Sequence, residues 1–501
     1  MKSIVVLFDE KNKYEDIKAF DGKSAVELCA AAAASLELPV KTVTGLCTKS
    51  ELAAKLDSIC KENQADAVVF SFADCPFLNK PLVQELLDTH FEYRAEFTFA
   101  EGYPEGFAPV IIDKGTLSIL AELSKTTAAE AGAQKITRNS LFELIKTDIN
   151  SFEVETVLAP VDWRLFRFAF DCRKKETFTA CQRLFELSKE ASAGSAASAA
   201  ELSELASKAP GILKTLPSFY NIQLAQKCRG TCSCCPYPDA IKKQNGKAPD
   251  AADGIMDKVK LFELIDKIAD FSGEAVIGLS AWGECFNHPA LIEIIQKILS
   301  FDGLSVLIEA DGNSIPDDFA DKLKDVVQVA QERTNGWAKI MLVVSMDGFS
   351  QETCSSIRGG NFDLKTAVES VQKLENAVPG CVYPQFVRMN ANEHELEGFF
   401  RYWKEKTNAS GGSFIIQKHN NFAGLLPNEE PADLSPLERN PCWHTRRDMT
   451  ILCNGDVPLC YCRVLNDIKG NVFEEGIQAV WEKLAEDGKC GGCDEFYTFN
   501  F

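Results

Sequence analysis

An α/β protein of at least two units is predicted by the sequence, and three observations predict it. Short apolar strands alternate with stretches of helical spacing in both halves of the chain. At 501 residues the chain exceeds what one hydrophobic core usually organises. Between the halves lies SKEASAGSAASAAELSELASKA (188–209), rich in Ala, Ser and Glu and poor in bulky side chains. That stretch reads as a linker. It sets expected boundaries at 1–185, a linker over 186–215, a second unit over 216–425 and a small terminal unit over 426–501.

In the first half SIVVLF (3–8) and AVVFSF (67–72) are continuous apolar runs, the mark of buried strands. The segments 24–36 and 51–62 have helical spacing, so a βαβ arrangement with a largely parallel sheet is expected. In the second half NIQLA (221–225), AVIGLS (275–280), LSVLIEA (304–310), KIMLVVSM (339–346), 382–389 and SFIIQK (413–418) read as strands. Helices are expected near 260–270, 290–300, 316–330 and 363–376. Six strands with intervening helices suit a partial (β/α)6 barrel of TIM-like design, whose functional groups sit on loops at the strand C-termini.

The net charge of −20 argues against general binding to nucleic acid or anionic membrane, because like charges repel. The apolar run Ile4–Phe8 is short for a secretory signal, and no run of 18 apolar residues occurs. A cytoplasmic protein is expected. In a reducing compartment its 19 cysteines are unlikely disulfides, so clustered ones should be metal ligands or catalytic thiols. Four lie between 228 and 235 and six between 442 and 493.

The first cluster reads QKCRGTCSCCPYP, directly after the first strand of the second half. Cys228, Cys232 and Cys235 form CxxxCxxC. Three thiolates on one short loop can hold three irons of a [4Fe–4S] cube and leave the fourth open to a further ligand. This spacing resembles the signature of the radical S-adenosylmethionine (radical SAM) superfamily. The resemblance implies that the open iron binds S-adenosylmethionine, which is cleaved reductively to a 5′-deoxyadenosyl radical that abstracts hydrogen from a substrate. The family usually places an aromatic residue before the third cysteine, where this chain has Cys234, so a register with Cys234 as ligand stays open. So does a zinc site, although zinc usually pairs CxxC with a second CxxC or a His pair.

Later strands carry matching features. Gly283 and Glu284, in SAWGECFNHP, resemble the family's GGE-type step, which implies contact with the amino group of the cofactor. Ser345 and Asp347 resemble the ribose-contacting end of the fourth strand. Arg358 resembles the basic partner of the cofactor carboxylate. Asn390, Asn392, Glu393, Gln417 and Lys418 follow the fifth and sixth strands and are candidates to line the pocket.

The C-terminal stretch holds Cys442, Cys460 and a CxxC of Cys490 and Cys493. NGDV (454–457) reads as a hairpin turn joining MTILC to PLCYC, with a helix containing Trp481 after it. The set resembles the SPASM/twitch extension of radical SAM enzymes, which implies an auxiliary [4Fe–4S] cluster on Cys442, Cys460, Cys490 and Cys493. Cys453 and Cys462 are packed thiols or substitutes for one of these, and Cys₄ with a terminal CxxC is also a structural zinc pattern.

FADCPFLNKPLVQELLDTHFEYRAEFTFAEGYPEG (72–106) resembles cytidylyltransferase-like proteins of the glycosyltransferase-A fold. That likeness implies an α/β nucleotidyltransferase-like domain with a nucleotide–metal site at Asp74 and Asp171, and FDGKSAVE (20–27) resembles its GK step. The family's phosphate-binding Gly- and Arg-rich loop is absent. The chain has DEKNKYED there, which would repel a triphosphate, so a degenerate domain for substrate binding or scaffolding is expected. The whole is similar to spirochaete radical SAM/SPASM (spiro-SPASM) proteins. The expected function is a radical SAM enzyme acting on a peptide or a sugar- or nucleotide-linked substrate, served by an electron donor such as flavodoxin or ferredoxin. The alternatives are a zinc protein with a nucleotidyltransferase-like domain, or an inactive radical SAM fold that binds a partner.

Overall fold

The computed structural model describes residues 2–131, 135–191, 197–237, 254–406, 410–432, 442–463 and 467–485. The chain divides into two compact units, Met1–Thr215 and Leu216–Phe501. No helix among the described residues is long and apolar enough to cross a membrane.

The first unit is a six-stranded sheet of β1 (Ser3–Asp9), β2 (Val40–Thr44), β3 (Ala67–Phe72), β4 (Phe97–Glu101), β5 (Val110–Asp113) and β6 (Val154–Leu158), in the order β2-β1-β3-β5-β4-β6. All pairs are parallel except those of β5, which runs against both its neighbours. Alternation puts Val5, Leu7, Ala67 and Val69 on one face and Ile4, Val6, Phe8, Val68 and Phe70 on the other. Helices cover both faces, which is why β1 and β3 read as unbroken apolar runs.

The expected linker is a correction. Ala199–Lys208 is a helix, and its Ser198 and Glu201 cap one another's backbone N–H groups. Ala199, Leu202, Ala206 and Ile212 enter the core of the first unit. The small residues that suggested a linker let this helix lie close against Lys175–Ala191.

The second unit carries a parallel sheet of β7 (Phe219–Ile222), β8 (Ala275–Gly278), β9 (Leu304–Ala310), β10 (Ile340–Ser345), β11 (Val382–Arg388) and β12 (Ile415–Lys418), joined in sequence order and curled as a half-barrel. Every adjacent pair is parallel. Helices Lys258–Ser272, Leu291–Leu299, Phe319–Val329 and Leu364–Ala377 bury their apolar faces against it.

A seventh strand was not expected. β13 (Asp448–Ile451) pairs parallel with β7 and extends the sheet at its first edge. MTILC therefore does not form the ladder of a hairpin with PLCYC. β14 (Asp456–Pro458) instead pairs antiparallel with β15 (Ile468–Asn471). Met449, Ile451, Val457, Val472, Val480 and Trp481 share one core with the barrel, so the described part of 426–501 is packed into the second unit.

Leu202→Ala is expected to destabilise the first unit by about 2–5 kcal/mol, the range for emptying a buried leucine site. Denaturant unfolding checks this, and an unchanged midpoint would restore the linker reading.

Candidate functional site

The cysteine loop begins where β7 ends, at the C-terminal rim of the half-barrel. Gln223 anchors it: its Nε2 donates to the Tyr237 hydroxyl at 2.7 Å and the Trp282 carbonyl at 3.1 Å, and its Oε1 accepts from Cys453 N at 3.3 Å. Backbone bonds then hold the loop on two sides. Glu284 N donates to Lys227 O at 3.0 Å, while Ser233 N and Thr231 N donate to Ile357 O at 2.7 Å and Arg358 O at 3.4 Å.

Gly283 has φ +98°, and a Cβ there would stand 1.8 Å from the Ala225 carbonyl oxygen. Gly359 has φ +100°, and a Cβ there would stand 2.4 Å from Thr231 Oγ1. The left-handed conformation and the close approach both demand glycine. The loop is thus gripped between two such contacts.

The sulfurs of Cys228 and Cys232 flank Gly230, both within 3.5 Å of where a Cβ on that residue would lie. Cys235 lies within electrostatic reach of both. The Cys234 thiol lies 4.0 Å from Asp347 Oδ2 and beside Arg358, within electrostatic reach of Cys232 and Cys235 as well. Cys228, Cys232 and Cys235 thus stand near one another on one loop, and Cys234 lies among them on the side of Asp347. Among the described residues no three His, Cys, Asp or Glu side chains close round a point as a single metal ion needs. A cubane cluster makes a different demand, because each thiolate takes its own iron at a separate corner. A glycine between two sulfurs leaves room for such a bulky group. Burial pushes the thiols up, Cys235 to about 12, so loading iron must release protons.

Glu284 is 5% exposed, and burial followed by the charge of Asp311 pushes its carboxyl up to about 7. A cation beside it would restore the carboxylate. Asp347, at φ +59°, is wholly buried. Its Oδ1 accepts from Val387 N at 2.8 Å, its Oδ2 pairs with Arg358 at 2.5 Å, and Asn392 holds its carbonyl at 2.9 Å. The expected ribose contact is corrected here: both Asp347 oxygens are spent on fixing Arg358 and β11. Asn392 is buried beneath it, and Glu393 pairs outward with Arg388, so neither lines a pocket.

Ser345 donates to Glu309 Oε1 at 2.7 Å, and Gln385 Nε2 donates to the same oxygen at 2.7 Å. Glu309, Gln385, Gln223, Trp282 and Tyr461 went unrecognised in the sequence. Trp282 and Tyr461 stack in parallel with centroids 4.3 Å apart, and Tyr237 and Phe422 extend the cluster beside Cys235. The one available signal was alternation along β9, which puts Glu309 on the face opposite Ile308.

Of the C-terminal cysteines, Cys442 is buried within electrostatic reach of Cys460. Cys453 packs into the barrel core, and Cys462 lies against Asn420 at 3.4 Å. Cys490 and Cys493 lie outside the described residues.

In the first unit Asp74 and Asp171 are both buried, and their segments touch through Cys172 N donating to Asp74 O at 2.9 Å. Arg138 grips both oxygens of Asp74 at 2.5 and 2.7 Å, and Asn12 Nδ2 adds a bond at 3.1 Å. Asp171 accepts from Arg173 N and Thr177 Oγ1, each at 3.0 Å. Burial opposes the charge on Asp171, but Arg138 and Arg173 outweigh it and hold the carboxyl low. A guanidinium thus neutralises the carboxylates expected to bind a metal. The acidic loop folds inward too: Glu15 is fully buried, and burial with the neighbouring Asp9 pushes it up to about 8.

Over 380 residues the chain is 36% identical to an uncharacterised protein of Treponema pallidum (strain Nichols), a match covering 72% of this chain and 98% of that protein. The chain belongs to the family of that treponemal protein. A second T. pallidum protein, also uncharacterised, shares 35% identity over 77 residues and is covered over 35% of its length. No family model matches this family member. Among solved structures, Streptococcus suis SuiB bound to precursor peptide SuiA superposes with a TM-score of 0.43 at 12% identity, covering 80% of this chain and 93% of that one. SuiB bound to S-adenosylmethionine gives 0.41 at 13%, covering 66% and 86%. A cytidylyltransferase of Leptospira borgpetersenii gives 0.33 at 12%, covering 42% and 96%. Superpositions this loose decide nothing about chemistry, which rests on the residues themselves.

Gly283→Ala is expected to displace the cysteine loop, since strain alone at such a position costs about 1–3 kcal/mol and the carbonyl clash adds to it. Iron and sulfide bound per chain should fall well below wild type while far-UV circular dichroism persists. The raised Glu15 gives a pH prediction. Its folded pKa exceeds the unfolded value, so the folded state holds the extra proton and stability falls as pH rises from about 4.5 towards 8. Glu15→Gln should flatten that slope in denaturant titrations across the window.

Proposed function

We propose that this protein is a radical S-adenosylmethionine enzyme. The observation that carries the reading is the nearness of Cys228, Cys232 and Cys235 on one loop at the half-barrel rim, beside Gly283 and Glu284. When bound, a [4Fe–4S] cluster with S-adenosylmethionine on its open iron supplies one electron and a 5′-deoxyadenosyl radical.

The chain's own residues bind and orient. Cys228, Cys232 and Cys235 hold the cluster. Glu284 accepts the cofactor ammonium, an encounter favoured by a carboxyl poised near neutrality in a buried place. Asp347 positions Arg358, whose charge faces the cysteine loop and suits the cofactor carboxylate. The Tyr237–Trp282–Tyr461 stack excludes water from the Cys235 side.

Cys442 and Cys460, with Cys490 and Cys493, hold an auxiliary cluster in this reading. A flavodoxin- or ferredoxin-like donor in the cytosol supplies electrons. The first unit, with Arg138 standing between its carboxylates, acts as scaffold or substrate-binding domain. The substrate class is a peptide or a sugar- or nucleotide-linked molecule.

Anaerobically purified protein should carry roughly seven to eight irons with matching sulfide and absorb near 400 nm. With dithionite it should convert S-adenosylmethionine to 5′-deoxyadenosine, and Cys232→Ala should lose that activity. Zinc in place of iron and sulfide would end the reading.

A further inference from the structure

We propose that Glu309 is the substrate anchor of the half-barrel and that it takes a positively charged amine of the substrate. The inference rests on the radical S-adenosylmethionine reading and names the chemistry that the same site accepts.

The sheet has two unlike faces. Ile308, Leu342, Val344 and Phe386 point to the helix-covered core. Their neighbours in the alternation point into the hollow, where the register pairs Glu309 with Val343 and Ser345 with Gln385. Glu309 is thus set in the concave face, and it is exposed there.

One of its two carboxylate oxygens is fully committed. Oε1 accepts from Ser345 Oγ and from Gln385 Nε2, both at 2.7 Å, and Gln385 also donates to Ser345 Oγ at 3.0 Å. Ser345 is 3% exposed and Gln385 is 4% exposed, so buried donors fix the carboxylate rather than mobile surface groups. Oε2 makes no hydrogen bond with any described residue, and no Lys, Arg or His among the described residues forms an ion pair with Glu309.

A carboxylate held in one rotamer by buried donors, with no cation paired to it among the described residues, leaves Oε2 open to a cation that comes with the ligand. Glu284 after β8 and Asp311 after β9 stand in electrostatic contact at the rim, where Arg229 pairs with Asp311 at 3.7 Å and Arg358 faces Glu284, so the rim's own cations serve these two carboxylates and not Glu309. Tyr461 is within electrostatic reach of both Glu309 and Cys235, which sets Glu309 in the same half-barrel mouth as the cysteine loop. A neutral hydroxyl would also meet Oε2. The amine is favoured over the hydroxyl because an ammonium gives the carboxylate a charge-assisted hydrogen bond, the stronger of the two.

The test uses anaerobic holoenzyme with dithionite and S-adenosylmethionine, following 5′-deoxyadenosine formation against n-butylammonium and its uncharged counterpart n-butanol. The amine should change the wild-type rate with saturation, and n-butanol should not. In Glu309→Gln, with each rate taken relative to that variant's own, the half-effect concentration should rise about tenfold or more, equal to about 1.4 kcal/mol. S-adenosylmethionine affinity, read from the cluster's EPR spectrum, should move far less than that. An absent amine effect in wild type, an equal response to n-butanol, or an unmoved Glu309→Gln overturns the proposal. A tenfold loss of S-adenosylmethionine affinity in Glu309→Gln also overturns it, by assigning the carboxylate to the cofactor. Failure of wild type to form any 5′-deoxyadenosine is different, since that removes the underlying enzyme reading.

Discussion

Two backbone contacts that tolerate only glycine decide where the cysteines lie. Gly283 presses on the Ala225 carbonyl and Gly359 on the Thr231 hydroxyl, so the loop carrying Cys228 to Cys235 is held from both sides, with the Gln223 side chain tying down its base. Main-chain contacts have little freedom to adjust. They fix where the loop lies against the turn at 357–359 and against Gly283. Arg358 takes part twice, through its carbonyl to the loop and through its guanidinium to Asp347. The helix Gln351–Arg358 is anchored in turn by Glu395, which accepts from Phe349 N, Ser350 N and Thr353 Oγ1.

Around this grip the rim is divided by polarity. The Cys235 side is dry, walled by Tyr237, Trp282 and Phe422. The concave face is polar, with Glu309, Ser345 and Gln385 in one hydrogen-bonded set. A reactive centre placed between them would meet an apolar shield on one side and groups able to orient a ligand on the other. Glu284 is itself buried at the rim, and that burial, with the charge of Asp311 second, is what pushes its carboxyl up to about 7.

The first unit shows how a site can keep its carboxylates and change its chemistry. Asp74 and Asp171 remain buried at neighbouring segments, but Arg138 supplies fixed positive charge between them and stacks over Phe72 at 3.9 Å. Glu15, Asn12 and Glu105 complete an inward-facing charge network. Of the acidic residues that looked like a repulsive surface loop, Asp9 and Glu15 are buried and are met by Lys11 and Asn12 within it.

Local pattern by itself determined a great deal. Strand positions such as 304–310, helix positions such as 364–377, and the CxxxCxxC loop at a strand end depend on nearest-neighbour chemistry, so they were legible in the chain. Tertiary structure alone decided what depends on residues far apart. Glu309 acquires meaning only from Ser345 and Gln385, Asp74 only from Arg138, and Cys234 only from Asp347, 113 residues away. Ala199–Lys208 became part of a core because a helix far from any composition rule offered it a surface, and β13 found β7 across more than two hundred residues. Spacing carries the first kind of information; charge pairing and close approach between distant segments carry the second.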